Sequence, residues 1–146
     1  MTNNDQPLVS IIIVNYNAGE LLLNCIKSIL NSDYQNLEII LVDNISTDNS
    51  HKICKEKFQQ ITLIENSKNL GSCDGNNVGI KNSRGEYIVI MNPDTVVKSN
   101  WLNELFSAYK QFGEGIYQPK ILSLNEKNIL QSTGNMIHVF GFGYSR

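Results

Sequence analysis

The chain has 146 residues, of which 41% are hydrophobic and 18% are charged, and its net charge is −2. This length suits one domain with a real core, and the apolar content excludes an intrinsically disordered chain. The lack of a basic excess argues against a nucleic-acid-binding protein.

The sequence predicts neither a membrane helix nor a signal peptide. No apolar run approaches the roughly 20 residues that span a bilayer, and the polar start MTNNDQP lacks the order of a secretory leader. We therefore expect a cytoplasmic protein. Cys25, Cys54 and Cys73 are odd in number and far apart, which predicts free thiols rather than disulfides or zinc ligands.

The first elements follow a strand–helix order. VSIIIV, at 9–14, is a short β-branched apolar run typical of a strand that is buried on both faces. A three- and four-residue period then predicts a helix from Glu20 to about NSDYQN, with its apolar stripe at Leu22, Ile26, Ile29 and Leu30.

The same order repeats along the chain. LEIILVD predicts a second strand, and Ser46 or Thr47 is expected to cap a helix whose apolar face carries Ile53, Cys54 and Phe58. ITLIE and EYIVIM predict two more strands, joined by a glycine-rich segment with a short helix capped by Asp74.

A fourth helix is predicted after NPDTVVKSN. Its cap is Ser99 or Asn100, and its apolar face carries Trp101 or Leu102, Leu105, Phe106 and Tyr109. Beyond Gly113 short strands separated by turns are expected, with a ribbon against the sheet as one arrangement. The alternation predicts a doubly wound α/β fold with a mainly parallel sheet and right-handed crossovers.

Four consecutive predicted strands end in polar residues. These endings are Asn15 to Asn17, Asp43 with Asn44, Asn66 to Cys73, and Asn92 to Asp94. The carboxyl ends of parallel strands meet at one edge, so we expect a shared polar site there, although turn chemistry also favours Asn and Asp.

The residue types limit which ligands this edge of the sheet could bind. The G-x-G-x-x-G fingerprint and the Walker loop are both absent, which disfavours an NAD-linked enzyme. Asp94 is a candidate for holding Mg²⁺ with substrate phosphates, and Tyr16 offers a face for stacking a base. Asp43 can accept hydrogen bonds from a base or ribose. The alternative roles are an Asx turn for Asp94, ordinary packing for Tyr16 and helix capping for Asp43.

The ordered motifs resemble a known family. VSIIIVNYN, LEIILVDNISTDNS, NLGSCDGNNVGIKNSRGEYIVIMNPDTVV and YQPKIL together are similar to the amino-terminal part of a family 2 glycosyltransferase with the GT-A fold, of the rhamnosyltransferase-like branch. The resemblance covers nearly the whole chain. It implies one Rossmann-like nucleotide-sugar-binding domain over 1–146, incomplete at its C-terminus, with a βαβ core at 1–112 and the start of an acceptor-side region at 113–146.

The resemblance also implies roles for individual residues. Tyr16 would stack on the nucleobase, Asn15 and Asn17 would shape its pocket, and Asp43 would bond the base. Asn69, Gly71 and Asn77 would line the sugar-diphosphate side, where Gly71 and Gly75 permit close backbone approach. Asp94 would match the last carboxylate of a D-x-D motif and hold Mn²⁺ or Mg²⁺. Asn92 stands where that motif has its first aspartate, which predicts weaker metal binding.

The implied activity is inverting, metal-assisted transfer of a sugar from a UDP- or dTDP-linked donor to a hydroxyl of a glycan or lipid-linked glycan, in cell-surface polysaccharide synthesis. The full-length protein could then associate peripherally with the inner face of the membrane. The alternatives are a non-catalytic nucleotide-binding or assembly module and a pyrophosphorylase-like enzyme.

No catalytic base is identified in the sequence. The later acids are Glu104, Glu114 and Glu126, which are expected to be solvated, so the chain alone is expected to turn over poorly. His51 and His138 have no partners at metal-ligand spacing and are expected to be bystanders.

Overall fold

The structure is a computed structural model that describes residues 6–123, 129–132, 135–137 and 143–145. The chain forms two compact units, Met1–Asn103 and Glu104–Arg146. The strands and helices of the first unit are β1 (Val9–Asn15), α1 (Glu20–Leu30), β2 (Leu37–Asp43), α2 (Ser50–Lys57), β3 (Thr62–Glu65), α3 (Gly71–Lys81) and β4 (Tyr87–Met91). The helix α4 (Trp101–Phe112) crosses the boundary between the units.

The four strands of the first unit form one parallel sheet in the order β3-β2-β1-β4. Asn15 pairs with Asp43, and Asp43 pairs with Glu65, so these three residues stand side by side where their strands end. The register therefore brings polar side chains from three strands to one edge of the sheet.

Helices cover both faces of this sheet. On one face the Cys25 thiol of α1 lies 3.7 Å from the Met91 sulfur of β4. On the other face α3 packs against β1, and a Cβ added at Gly79 would lie only 2.3 Å from a methyl carbon of Ile12. Side chains alternate along a strand, so Ile13 faces the α1 side and Ile12 faces the α3 side. The predicted doubly wound α/β class is confirmed.

The core lies mainly between β1, β2 and α1. Its fully buried side chains belong to a β-branched and leucine-rich set: Val9, Ile11, Ile12, Ile13, Leu22, Ile26, Ile29, Ile40, Leu41, Val42 and Ile61. The edge strand β4 is less covered, since Ile88 and Ile90 remain exposed on the α3 side.

The second unit contains two short antiparallel pairs. β5 (Ile121–Leu122) pairs with β6 (Leu130–Ser132), and β7 (Asn135–Ile137) pairs with β8 (Gly143–Ser145). The short strands expected after Gly113 are therefore present. In the part of the chain that the structure describes, no helix has the length and apolarity to cross a membrane.

Three details of α2 and α3 differ from the sequence predictions. The N-cap of α2 is Asn49 in a left-handed conformation, and neither Ser46 nor Thr47 caps it. Ile53 is exposed, because the face that α2 buries runs through Ser50, His51 and Cys54, and Ile53 lies off that face. The helix α3 begins at Gly71, which places Asp74 inside its first turn rather than at its cap.

Candidate nucleotide-sugar site

A cleft of about 320 Å³ opens where β1, β2 and β4 end beside the start of α3. Ligands of open parallel sheets bind outside the carboxyl ends of the strands, and this cleft has that position. The residues that line it are Val14, Tyr16, Asn44, Asn69, Gly71, Ser72, Asn76, Met91, Asn92 and Pro93.

Four of the predicted donor-site residues lie in this cleft: Tyr16, Asn69, Gly71 and Asn92. The Tyr16 side chain is 55% exposed, so its ring can accept a flat ligand on one face. The other predicted residues, Asn15, Asn17, Asp43, Asn77 and Asp94, do not line the cleft wall.

Asn15 and Asp43 are buried behind the cleft and hold the ends of β1 and β2 together. Asn15 Nδ2 donates to Asp43 Oδ1 at 2.8 Å and lies 2.9 Å and 3.0 Å from the hydroxyls of Ser46 and Ser50. Asp43 Oδ2 accepts a hydrogen bond from the Ser46 amide at 2.8 Å. Both oxygens of Asp43 therefore have protein donors.

Asn17 joins the loop after β1 to the loop after β2. It adopts a left-handed backbone conformation with φ of 54°. Its Oδ1 accepts a hydrogen bond from the Thr47 amide at 2.8 Å, and its own amide donates to the Ser46 hydroxyl at 3.0 Å. In the same region, Asp48 Oδ2 accepts a hydrogen bond from the Gly19 amide at 2.9 Å. Although burial alone would raise the pKa of Asp48, hydrogen bonds from Ser50 and Gly19 hold that pKa below its usual value.

Asn44 is a cleft residue that the sequence analysis places at the polar edge without giving it a role in donor binding. Val14 and Val42 face α3, and Asn44 continues that alternation past the end of β2, whereas Asp43 faces the opposite side. Asn44 Nδ2 donates to the Gly71 carbonyl at 3.0 Å, and Asn44 Oδ1 accepts from Asn66 Nδ2 at 2.8 Å. The two-residue period of the strand is the signal that selects Asn44 over Asp43.

The loop before α3 forms the second wall of the cleft. Asn69 Oδ1 accepts from the Gly71 amide at 2.8 Å, and Gly71 has a φ of 71° that favours glycine. No atom lies within 4 Å of a Cβ placed on Gly71, so the space beside it is open to a ligand. Gly75 instead packs against Val14, where an added Cβ would lie 2.8 Å from a methyl carbon. Its close approach is therefore to the sheet.

The loop after β4 forms the third wall. The carbonyl of Asn92 accepts a hydrogen bond from the Thr95 amide at 3.2 Å and lies 3.6 Å from the Cys25 sulfur beneath it. Burial raises the pKa of Cys25 to about 12, so this thiol stays uncharged under the loop. Asp94 is exposed, two residues after Asn92.

The residues around Asp94 could hold a divalent cation only if substrate phosphates and waters supplied its other ligands. No group of three or more His, Cys, Asp or Glu residues that could hold a metal occurs within the described ranges. Mg²⁺ and similar cations are held in some sites by one or two carboxylates, with substrate phosphates and waters completing the shell. The exposed Asp94 carboxylate beside a cleft-lining loop is compatible with that mode.

The acids and histidines outside the cleft were expected to be solvated or uninvolved. Glu104 and Glu114 are exposed, as expected. Glu126 and His138 lie outside the described residues. His51 is different from the expectation, because it is buried between Asp43 and Glu65.

The sequence of the chain is similar to known protein sequences over most of its length. The sequence model described as Glycosyl transferase family 2 matches residues 10–141. The glycosyltransferase GlyG of Streptococcus pneumoniae serotype 4 is 37% identical over 107 residues, which are 71% of this chain and 36% of GlyG. The chain thus spans about a third of the length of that relative.

Solved structures share the fold. The complex of S. aureus TarS 1-349 with UDP-GlcNAc aligns with a TM-score of 0.63 and 20% identity, covering 81% of this chain and 41% of the TarS 1-349 chain. The mannosyltransferase PcManGT of Pyrobaculum calidifontis, solved with GDP-Man and Mn²⁺, aligns with a TM-score of 0.64 and 25% identity over 77% of this chain and 34% of PcManGT. By its matched sequence model and its relatives, the chain belongs to glycosyl transferase family 2.

Proposed function

We propose that this chain binds the nucleotide-sugar donor of an inverting, metal-assisted glycosyltransferase. The donor would be a UDP- or dTDP-linked sugar, and the acceptor a hydroxyl of a glycan or lipid-linked glycan in cell-surface polysaccharide synthesis. The enzyme would act in the cytoplasm or at the inner face of the membrane. The placement of this chain in the rhamnosyltransferase-like branch of the family stays a prediction.

One observation carries this proposal. Tyr16, Asn69, Gly71 and Asn92 come from three separate loops, and all of them line a single cleft at the carboxyl edge of the sheet. An exposed aromatic ring, amide side chains and open space beside a glycine are suited to a base and a sugar diphosphate. The TarS complex with UDP-GlcNAc supports the same ligand class for a protein of the same fold.

The proposed roles follow the walls of the cleft. Tyr16 stacks on the base, Asn69 and Gly71 face the sugar diphosphate, and Asn92 contacts a ribose hydroxyl. Asn77, which follows the cleft-lining Asn76, is proposed for the same diphosphate side. Asp94 would hold Mn²⁺ or Mg²⁺, which when bound stabilises the negative charge of the departing diphosphate. The Mn²⁺ in the PcManGT complex supports a divalent cation in this fold.

The base contact is assigned to one of two neighbouring residues. Asp43 was predicted to bond the base, yet its two oxygens already accept hydrogen bonds from Asn15 and Ser46. Asn44 lines the cleft directly. Asn44→Ala weakens donor binding in either case, since it also anchors the Gly71 wall. Asp43→Asn distinguishes them. If Asp43 contacts the base, loss of its charge should alter the preference between uracil and guanine nucleotides. If Asp43 does not contact the base, this preference should stay the same.

Isothermal calorimetry tests the proposal on this chain and on the full-length gene product, with UDP- and dTDP-sugars, GDP-mannose and Mn²⁺. Tyr16→Ala should weaken donor binding about five- to 150-fold, because stacking of one base is worth about 1–3 kcal/mol. Tyr16→Phe keeps the ring and should bind within about threefold of the parent.

The metal role has its own matched pair of variants. Asp94→Asn should abolish the Mn²⁺ dependence of donor binding, because the amide removes the negative charge that holds the cation. Asp33→Asn, a change of an exposed aspartate at the other end of the sheet, should leave that dependence intact. If no nucleotide sugar binds to the full-length product, or if Asp94→Asn binds donor and Mn²⁺ like the parent, the proposal is wrong.

A non-catalytic nucleotide-binding module is the second candidate. The observation that favours it is Asn92, an amide in the place of the first acid of the metal motif. Sugar transfer by the full-length product, followed with radiolabelled donor, would exclude it, whereas donor binding without transfer would support it.

A further inference from the structure

His51 is a buried titratable residue that the proposed function does not use. It is the second residue of α2, and its side chain is 4% exposed. Its Nδ1 lies 3.4 Å from Asp43 Oδ1, and its Nε2 lies 3.3 Å from Glu65 Oε1. Each ring nitrogen therefore faces a carboxylate, one of them buried and the other 56% exposed.

The chemistry of imidazole sets the condition under which this arrangement is favourable. A neutral ring carries one N–H, so one of its two nitrogens presents a lone pair. Here that lone pair would point at a carboxylate oxygen in either tautomer. Nδ1 is buried and has no hydrogen bond to any residue in the described ranges, which is costly unless it carries a proton that Asp43 attracts. The protonated ring attracts both carboxylates.

Asp43 connects this ring to the walls of the cleft. Its two oxygens accept hydrogen bonds from Asn15 Nδ2 and from the Ser46 amide. Ser46 in turn accepts from the Asn17 amide, on the residue that follows Tyr16. A shift of the Asp43 carboxylate would thus be transmitted to the loop that carries Tyr16 and to the backbone that carries Asn44.

We propose that His51, in its protonated form, is a positioning residue that bridges Asp43 and Glu65 and so fixes the loops of the donor cleft. Loss of one ring proton leaves a lone pair that faces the carboxylate of Asp43 or of Glu65, so one of the two attractions becomes a repulsion. The loops after β1 and β2 then open more often, and the cleft is less well formed for a donor.

Three carboxylates and one thiol lie around the ring. Asp43 faces it from β2 and Glu65 faces it from β3. Asp48, in the loop before α2, is the third carboxylate. Burial alone would raise the pKa of Asp48, but the hydrogen bonds of Ser50 and Gly19 lower it, and the charge of His51 makes a smaller contribution in the same direction. On α2 itself, burial raises the pKa of Cys54 to about 11, so that thiol adds no charge.

The first arm of the test needs no donor. The protonation of His51 is followed by long-range ¹H–¹⁵N NMR of the 146-residue chain from about pH 5 to 8, the range in which histidines usually titrate. Assignment uses the signals missing from His51→Gln. Amide exchange of residues 44–48, corrected for the intrinsic rate, is measured in parallel.

Exchange protection at 44–48 should fall by about tenfold as His51 loses its proton, because hydrogen bonds that hold the loops are broken more often. His51→Gln should be weakly protected throughout and should show no such step. Glu65→Gln should keep part of the step, since the contact with Asp43 remains. Glu56→Gln, an exposed change on the same helix, should match the parent.

The inference is overturned if protection stays constant through the His51 titration, if His51→Gln retains the step, or if the ring is neutral where protection is highest. The second arm, UDP affinity with Mn²⁺, rests on the proposed function and should fall about three- to tenfold over the same interval. Absence of UDP binding at every pH would count against the proposed function, and the exchange data would still decide the role of His51.

Discussion

At the scale of single residues, Ile45 has a backbone conformation that its side chain opposes. It lies between β2 and α2 with φ of 60°, and its side chain is 51% exposed. A β-branched residue is strained in this left-handed region, by about 1–2 kcal/mol. The hydrogen bonds of Asn17, Asp43 and Ser46 fix the loop on both sides, so the loop geometry prevails over the preference of Ile45.

Ile45→Gly should therefore raise the free energy of unfolding by about 0.5–1 kcal/mol. Glycine removes the strain, and the larger entropy of the unfolded chain offsets part of the gain. Urea denaturation at equilibrium measures the difference. Ile53→Gly is the matched control: Ile53 is also 51% exposed but lies within α2, where glycine should destabilise by about 1 kcal/mol. Equal destabilisation by the two variants would contradict the prediction.

The three cysteines should differ sharply in reactivity. Cys25 and Cys54 are buried, and burial raises their pKa values to about 12 and about 11, so few of their thiols ionise near pH 8. Cys73 is exposed in the first turn of α3. With an aromatic disulfide reagent at about pH 8, one thiol per chain should react quickly and two only after unfolding.

Cys73→Ser should abolish the fast reaction and leave the slow pair unchanged. A fast phase of two thiols in the parent, or a fast phase that survives Cys73→Ser, would show that α1 or α2 exposes its cysteine in the native state.

The sequence places residues along the edge of the sheet, but it does not show which face of the sheet each side chain takes. Tyr16, Asn69, Gly71 and Asn92 line one cleft, and their contacts with a donor stay a prediction. Asp43 and Asn44 are adjacent in the sequence and face opposite sides of the sheet, and the packing of α3 on the side of Val14 and Asn44 shows which side holds the cleft. The pairing of His51 with Asp43 and Glu65 is likewise tertiary, since it joins α2 to two strands.

At the scale of elements, Glu38 anchors the start of β4 to β2 at the edge opposite the cleft. Its carboxylate accepts the Ser10 hydroxyl at 2.6 Å, the Arg84 amide at 2.7 Å, and the Arg84 guanidinium at 2.9 Å and 3.1 Å. Burial works against ionisation, but these hydrogen bonds lower the pKa of Glu38 below its ordinary value of 4.5. Ionised Glu38 therefore stabilises the folded chain.

The sign of the pH effect follows from the lowered pKa. The stabilisation is fully present above the unfolded pKa and is lost as pH falls through the folded pKa. Glu38→Gln should be less stable than the parent by about 1–2 kcal/mol near pH 7, because the Ser10 hydroxyl, the Arg84 amide and the Arg84 guanidinium lose a charged acceptor. The gap in unfolding free energy should close as the pH falls through the lowered pKa of Glu38, where Glu38 in the parent becomes protonated.

Urea unfolding of both proteins over a series of pH values measures this gap. Glu56→Gln, an exposed change on α2, should differ from the parent by less than about 0.5 kcal/mol at each pH. A gap between Glu38→Gln and the parent that stays constant down to low pH would mean that the carboxylate charge is not the source of the stabilisation.

The strands were predictable because their patterns are local. LEIILVD is an apolar run that ends at a charged residue, and β2 spans Leu37–Asp43 as predicted. The helix α1 is likewise set by a three- and four-residue period that buries Leu22, Cys25, Ile26 and Ile29. The caps were not predictable, since Ser46 is used by Asn15 and Asn17 across the edge and is not available to α2.

At the scale of the whole molecule, the candidate site belongs to one compact unit. Every residue that lines the cleft lies between Val14 and Pro93, inside the unit Met1–Asn103. The helix α4 contributes two buried residues, Trp101 and Leu102, at its beginning. The formation of the cleft should therefore require the start of α4 and should not require the residues that follow this helix.

Two truncations test this division. A chain of residues 1–112 retains α4 and should bind UDP with Mn²⁺ within about twofold of the parent, as expected for a distant change. A chain of residues 1–100 loses Trp101 and Leu102 and should lose about 5 kcal/mol or more, which is comparable to the whole stability of a small domain.

Circular dichroism during thermal unfolding decides between the outcomes without a ligand. The 1–112 chain should show one cooperative transition within a few degrees of the parent transition, and the 1–100 chain should show none. The double substitution Trp101→Ala and Leu102→Ala in the full chain should reproduce the loss, because it removes the same buried side chains and keeps the length. If 1–112 unfolds like 1–100 while the double variant stays folded, the cleft depends on residues 113–146, and the first unit does not fold independently.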